Sequence, residues 1–321
     1  MVDAFDCIVL GGGMRGLVAA LTRLRARPAD SLRIVEAAPR PGGAVATQRS
    51  NGFVCELGPI GFGRAELAAM TPLLAPPPRV LEPQPAAARG VVLGLAGPRE
   101  IELAELPVSF PSGAEELPQA CRRQLGERLL LGRAVVGVRP EPDGFAVTLG
   151  GEVTTELRAP ELVVALPMRA AATLFGGLDP ALADVGARLA ATPAAFVFLG
   201  GLAARLPELR GYGWLPEVEV GGTVAEAIVC SEVFAGRALP GRVLVRCEVV
   251  GEPAGLPDGE LVAAAVAELR RWTGCAGDFG FGKVHRFAVE DRDAAWAECR
   301  ARLLGFAARG ARVVLAPDVL R

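Results

Sequence analysis

The 321-residue sequence holds a single histidine, His285, a single tyrosine, Tyr212, and a single lysine, Lys283. One histidine excludes any mechanism that needs two imidazoles. The scarcity of lysine, beside abundant Ala, Gly and Pro, matches the coding bias of a GC-rich genome, so the many arginines carry no special meaning. With 34 basic against 36 acidic side chains the formal net charge is −2, and the clustered basic face that nucleic acids need is not expected. The seven cysteines, at 7, 55, 121, 230, 247, 275 and 299, lie far apart with no C-x-x-C pair. That spacing argues against a disulfide framework or a zinc site and suits reduced thiols in a cytosolic protein.

Long apolar runs are also missing. The longest stretch without a charge, residues 189–204, contains Pro193 and Gly200-Gly201, and it falls short of the roughly 20 residues a membrane-spanning helix needs. Asp3 and Asp6 lead directly into a strand-like run, so no signal peptide is expected. The expected setting is cytoplasmic, with peripheral membrane contact left open.

What is present is an α/β pattern. At about 100–200 residues per domain, the length gives two modest domains or one large α/β body. An apolar strand at 5–10 runs into Gly11-Gly12-Gly13, a helical pattern reaches residue 26 before Pro28, and a second strand at 32–35 ends at Glu36. This is the strand–helix–strand unit of a parallel sheet. Further on, a strand is expected at 53–56 and a helix at 64–74, followed by a connection too rich in proline (76, 77, 78, 83, 85) to be helical. Hairpins are expected around Gly97-Pro98 and around Pro142-Asp143-Gly144. Between them lies a helix over 114–125, with Ser112 as its cap and Glu115 completing a capping box. A buried strand at 162–165 follows. The second half alternates strands (195–199, 225–230, 243–249, 284–289) with helices (181–189, 261–272, 294–307), and a last strand spans 312–316.

The motif that carries chemistry is Gly11-x-Gly13-x-x-Gly16, with Glu36 twenty residues beyond. Gly11 permits the tight turn, Gly13 lets a pyrophosphate approach the backbone, and Gly16 lets the helix pack on the sheet. The helix start offers N–H groups and the positive end of its dipole to phosphates. Glu36, at the tip of the second strand, can accept bonds from a ribose. These residues point to dinucleotide binding without choosing between NAD and FAD.

The next segment chooses. Arg40-Pro41-Gly42-Gly43-Ala44-Val45-Ala46-Thr47, Gly52-Phe53 and Glu56-Leu57-Gly58-Pro59 resemble the flavin-side signature of the FAD-dependent amine oxidase superfamily. Within it, the likeness is to protoporphyrinogen oxidases of the bacterial, oxygen-dependent type. Downstream, Phe110-Pro111-Ser112-Gly113, Gly132-Arg133-Ala134-Val135 and Val163-Val164-Ala165-Leu166-Pro167 follow in the family's order. The resemblance covers residues 5–63 and 106–200 and thins beyond them. It implies that FAD is held by Gly11, Gly13 and Gly16 with Met14 and Arg15 beside them, and by Glu36 and Ala37 at the ribose. It further implies Arg40, Gly42, Gly43, Ala44, Gly58 and Pro59 on the flavin side, the Val135 backbone at the adenine, and Ala165. The implied fold is α/β: a Rossmann-like FAD-binding domain of the two-dinucleotide-binding type with a reduced antiparallel α+β substrate region. The expected division is residues 1–63 and 106–175 for the FAD-binding domain with 311–321 returning to it, 64–105 as a shortened insertion, and 176–310 as the substrate region.

Two departures accompany the likeness. The family's large helical insertion between the Glu56-Leu57-Gly58-Pro59 segment and the Phe110-Pro111 segment is represented by few residues, many of them proline. The family's closing acidic turn is met by Ala316-Pro317-Asp318, with proline in place of glycine and the flavin-side helix expected to be absent. Asp318 takes the acidic position.

Lys283 and His285 alternate on one strand and so share a face; a lysine faces the flavin in amine oxidases, but a surface lysine and a structural histidine are the plainer readings. Trp214, Trp272 and Trp296 are expected in cores, and Tyr212 in a loop that could border a cavity. No catalytic residue and no metal site are assigned. The resemblance implies an FAD-dependent oxidoreductase that removes hydride from a tetrapyrrole-type substrate and is reoxidised by oxygen. The alternatives left open are a non-catalytic dinucleotide-binding or partner-binding relative, and a subunit or homo-oligomer in which another chain covers the shortened region.

Overall fold

A computed structural model of the chain describes residues 3–151, 154–308 and 312–316. Asp3–Ala4 (β1) and Cys7–Leu10 (β2) lead to the helix Met14–Ala26 (α1), then Leu32–Val35 (β3). The hairpin Thr47–Ser50 (β4) and Phe53–Glu56 (β5) precedes the helix Arg64–Met70 (α2). Arg89–Gly94 (β6) and Gly97–Glu102 (β7) form a second hairpin, followed by Glu116–Leu125 (α3) and Leu129–Leu130 (β8). Next come Val135–Glu141 (β9), Gly144–Leu149 (β10), Thr155–Ala159 (β11) and Glu161–Val164 (β12), then the helices Met168–Phe175 (α4) and Pro180–Arg188 (α5). The remainder holds Ala191–Leu202 (β13), Gly213–Pro216 (β14), Glu226–Ile228 (β15), the single turn Cys230–Val233 (α6), Arg242–Val250 (β16), Asp258–Thr273 (α7), Phe279–Glu290 (β17), Ala294–Ala308 (α8) and Arg312–Leu315 (β18).

Five strands form a wholly parallel sheet in the order β18-β12-β2-β3-β8. Strands buried on both faces read as continuous apolar runs, as Cys7–Leu10 does. One face, through Val9, Ile34 and Val163, packs on α1 and α3 with Leu17 and Leu117. The other, through Ile8, Leu10 and Val164, packs on α4, α5, α8 and a meander that places β1, β11, β10 and β9 side by side. A seven-stranded mixed sheet, β17-β13-β16-β15-β14-β6-β7, covers α7 with one face, through Val197, Val245 and Leu261. Its other face turns Phe196, Phe198, Leu244 and Phe281 toward Phe53, Cys55 and Ile60 of the hairpin region.

The sequence reading and the structure part at several ends. The helix expected from residue 114 starts at Glu116, with Glu115 rather than Ser112 at its cap position. A buried carboxylate competes for the local donors: the Ala114 N–H donates to Glu56 at 3.1 Å, and the Ser112 N–H donates to Glu116. The helix from Arg64 gives way after Met70 to a 3₁₀ turn containing Pro72. The strand expected to reach residue 230 ends at Ile228, and Cys230 begins α6. The helix α4 carries no local capping side chain; its Met168 and Arg169 N–H groups donate to the Glu290 carboxylate, each at 3.0 Å. That cap comes from the end of β17, so no local pattern signals it. Trp214, Trp272 and Trp296 do pack in or against hydrophobic cores.

Candidate functional site

The parallel sheet positions the first wall. The Gly11 N–H donates to Val35 O at 2.8 Å and the Ala165 N–H to Leu10 O at 2.9 Å, so the chain turns away from β2 and β12 side by side. Ala316 leaves β18 the same way, its N–H donating to Val164 O at 2.9 Å. Ligands of open parallel sheets bind outside these carboxyl ends. Gly11 has φ +104°, and a Cβ there would lie 2.9 Å from Ala165 O. A Cβ on Gly16 would lie 1.9 Å from Gly11 O, so the close packing of helix on strand requires glycine. Packing makes no such demand at Gly13, where a Cβ would meet only Gly43 Cα at 3.8 Å. Its openness is toward whatever occupies the crevice. Gly13 caps α1 without any side-chain bond, and no acidic residue stands in the first turn. The dipole and donors of that turn are therefore left for an anion.

Glu36 is fixed by the backbone: one carboxylate oxygen accepts the Gly12 N–H at 2.7 Å and the other the Ala38 N–H at 2.8 Å. Each oxygen keeps a second acceptor position. Sequence reasoning passed over Gly12, yet a Cβ there would sit 2.8 Å from Glu36 Cβ. Val135 is brought beside this end, since Arg133 N–H donates to Glu36 O and Gly132 N–H to Ala38 O, both at 2.9 Å. Ala37 is exposed at the rim.

The loop after Arg40 leans on the glycine turn. Gly42 N–H donates to Gly12 O at 2.8 Å, and Gly42, with φ +104°, has room for no Cβ against Val45 O and Pro118. Arg40 donates to the carbonyls of Gly43 at 2.8 Å and Val45 at 3.3 Å, so its guanidinium braces the loop. Gly43 and Ala44 are exposed, and half-buried Gly58 packs so tightly that a Cβ would stand 2.1 Å from Ala44 O. Half-buried Pro59 follows it. Met14 is buried in the sheet core, and Arg15 reaches the Leu166 carbonyl at 3.3 Å. Asp318 lies outside the described residues.

The facing wall is the inner face of the seven-stranded sheet. Strand register sets Lys283, Phe198, Arg246 and Ile228 in one row, and His285, Phe196, Glu248 and Glu226 in the next. Arg246 donates to Gly58 O at 2.5 Å and lies over the Phe196 ring at 4.1 Å, tying this face to the flavin-side loop. The Phe196 and Phe287 rings lie 4.6 Å apart, tilted to each other, and His285 stacks on Phe287 at 6.1 Å. Lys283 and His285, read from sequence as a surface lysine and a structural histidine, are both half-buried here. Burial, then the charges of Arg40 and Lys283, hold the His285 imidazole below its usual range. Burial pushes the Tyr212 phenol up to about 12 and raises the Glu226 carboxyl. Burial thus biases His285, Tyr212 and Glu226 to their neutral forms.

Residues 9–71 match the model of an NAD(P)-binding Rossmann-like domain, and residues 89–301 match that of the flavin containing amine oxidoreductases. The second match spans most of the chain. The chain belongs to the flavin containing amine oxidoreductase family. It is 30% identical over 142 residues to the chloroplastic protoporphyrinogen oxidase 1 of Arabidopsis thaliana, covering 43% of this chain and 25% of that protein. Among solved structures it is similar to a protein of Exiguobacterium sp. 255-15, provisionally assigned as a protoporphyrinogen oxidase. The TM-score is 0.79 at 15% identity, covering 98% of this chain and 93% of the other. A reduced UDP-galactopyranose mutase gives 0.71 at 12% identity, with 97% and 87% covered. Likeness at that level shows the fold alone.

Membership of the flavin containing amine oxidoreductases, with the Rossmann-like match, indicates FAD as the cofactor. The residues present fit it: an uncapped helix start, an open Gly13–Gly43 floor and a Glu36 carboxylate held by two backbone donors. Among the described residues no group of side chains could hold a metal, and no helix is long and apolar enough to cross a membrane. All seven cysteines are buried and free; Cys55, beside the crevice, has its thiol pushed up to about 12 by burial.

One pairing in the site left no signal in the sequence. Glu56 and Arg237 form an ion pair at 3.2 Å with both side chains 1% exposed. Glu56 also accepts from Thr47 Oγ1 at 2.6 Å, while Arg237 donates to Ser109 Oγ at 2.8 Å and Phe110 O at 3.2 Å. Burial pushes the carboxyl up and the guanidinium down, each opposed by the other's charge. The pair fastens the strand before Gly58 to the Phe110 segment and to the loop before β16. A charge pattern could have flagged Glu56 only if its partner, 181 positions away, had been known.

Proposed function

We propose that the chain is an FAD-dependent oxidase of the protoporphyrinogen oxidase type, oxidising a tetrapyrrole-like substrate with molecular oxygen as the final acceptor. FAD, when bound, supplies the acceptor for a hydride from the substrate carbon. The observation that carries the reading is the wall opposite the cradle. It carries the half-buried Phe287 and the imidazole of His285 stacked 6.1 Å apart, with buried Phe196 packed against Phe287. Such stacked rings suit a flat conjugated body, because they offer apolar area against which it can stack. Arg246 has its guanidinium taken by Gly58 O and Phe196, so it shapes the wall. The sequence likeness to the plant protoporphyrinogen oxidase supports the same substrate class.

Anaerobic addition of protoporphyrinogen IX to the purified holoprotein tests it. Bleaching of the flavin absorbance, reversed by oxygen, is expected. A colourless preparation that takes up no added FAD, or a flavin that stays oxidised with protoporphyrinogen, would overturn it.

A further inference from the structure

A second cavity, of about 570 Å³, opens at the other end of the same sheet. Register places Phe281 opposite Gly200 and His285 opposite Phe196, so four residues of strand, roughly 13 Å at the usual rise, separate this cavity from the wall described above. Its volume falls in the range of about 300–1,000 Å³ typical of small-molecule sites. The floor is aromatic: Phe53 and Phe281 lie 4.9 Å apart, ring to ring. Gly200, Gly201 and Gly280 line the trough, so no side chain of theirs fills it.

Two exposed arginines, Arg205 and Arg242, stand at the edge. Arg242 lies over the Phe53 ring at 5.8 Å, and neither guanidinium has a carboxylate or hydrogen-bond partner among the described residues. Asp278 also lines the cavity, and its carboxylate pairs with Arg270 at 3.4 Å. The trough thus combines an aromatic floor with two planar cations that pair with no carboxylate among the described residues. Guanidinium forks match a carboxylate in geometry and charge. Inorganic phosphate would leave the aromatic floor unused. The geometry points to a binding site for a small aromatic carboxylate, separate from the dinucleotide crevice.

The test is calorimetric titration of the FAD-loaded chain with 2-naphthoate and with 2-naphthamide, which keeps the ring and loses the charge. Naphthoate binds at one site per chain, and the amide binds at least about 10-fold more weakly, the loss of one charge-assisted pairing. Arg205→Gln and Arg242→Gln each weaken naphthoate by about 10-fold on the same ground. Gly280→Trp abolishes binding while leaving the flavin spectrum and melting temperature in place, because a Cβ at Gly280 meets nothing within 4 Å. Equal affinity for acid and amide overturns the assignment. So does naphthoate binding that survives Gly280→Trp or the double arginine variant, and so does the absence of binding to folded, yellow protein.

Discussion

The two walls of the crevice are built on opposite terms. The cradle on the parallel sheet is made of missing side chains: Gly11, Gly16, Gly42 and Gly58 sit where a single carbon would strike backbone. The facing wall is made of side chains that long-range pairing brings into two rows, from strands that start at Ala191, Glu226, Arg242 and Phe279. Adding atoms breaks the first; removing them breaks the second. A side chain at any of those four glycines strikes backbone, whereas the second wall is shaped by the side chains it carries.

The largest effect should come from adding a charge to the cradle. Gly13→Asp has room for its Cβ, so the fold survives, but a carboxylate beside a diphosphate costs several kcal/mol, or on the order of 1,000-fold in FAD affinity. Fluorescence titration of the apoprotein measures it; an unchanged affinity would move the cofactor out of this crevice. Removing one partner of the buried pair comes next. Glu56→Gln leaves the Arg237 cation uncompensated and should cost about 3–5 kcal/mol in urea unfolding, with much of the loss recovered in the Glu56→Gln, Arg237→Met double variant. If the two single losses simply add, the residues are not coupled.

A smaller change tests the joint between the regions. Glu290→Gln weakens the cap of α4 and should lower stability by about 1 kcal/mol, with FAD affinity unchanged; an intact melting temperature would show that α4 needs no distant cap. The smallest effect is electrostatic. Because the folded imidazole is held below its usual value of 6.5, the unfolded chain takes up a proton first as the pH falls. The neutral-imidazole contribution is therefore full above 6.5 and is lost as the pH drops toward the folded midpoint. Being the sole histidine, His285 gives one titrating imidazole signal in NMR, with a midpoint below 6.5 that rises in Arg40→Gln. A midpoint at or above 6.5 would separate His285 from the flavin-side loop.

The same contrast explains what could be read from the sequence. The cradle is largely local, since a strand, a glycine turn, a helix and Glu36 fall within thirty residues, and backbone geometry follows from such runs. What the run could not show is Gly12 fitting under Glu36, a contact set by how the second strand pairs with the first. On the facing wall the strands themselves were legible, because alternating apolar residues mark them. Their order was not. That Lys283, Phe198 and Arg246 share a row depends on β13 lying between β17 and β16, which no periodicity encodes. The false start of α3 has the same origin, since Glu56 takes the Ala114 N–H from across the fold.

The bond from Glu290 to the start of α4 has a mechanical meaning as well. Glu290 is the last residue of the strand that carries Lys283 and His285, and it is pinned to the helix that follows Ala165 and Leu166. The neighbouring Asp291 adds a backbone bond to Ala190 O at 3.1 Å and accepts from Thr192 Oγ1 at 2.7 Å. The strand that carries Lys283 and His285 is thus joined to the body of the parallel sheet at its last residue, as well as to β13 along its length.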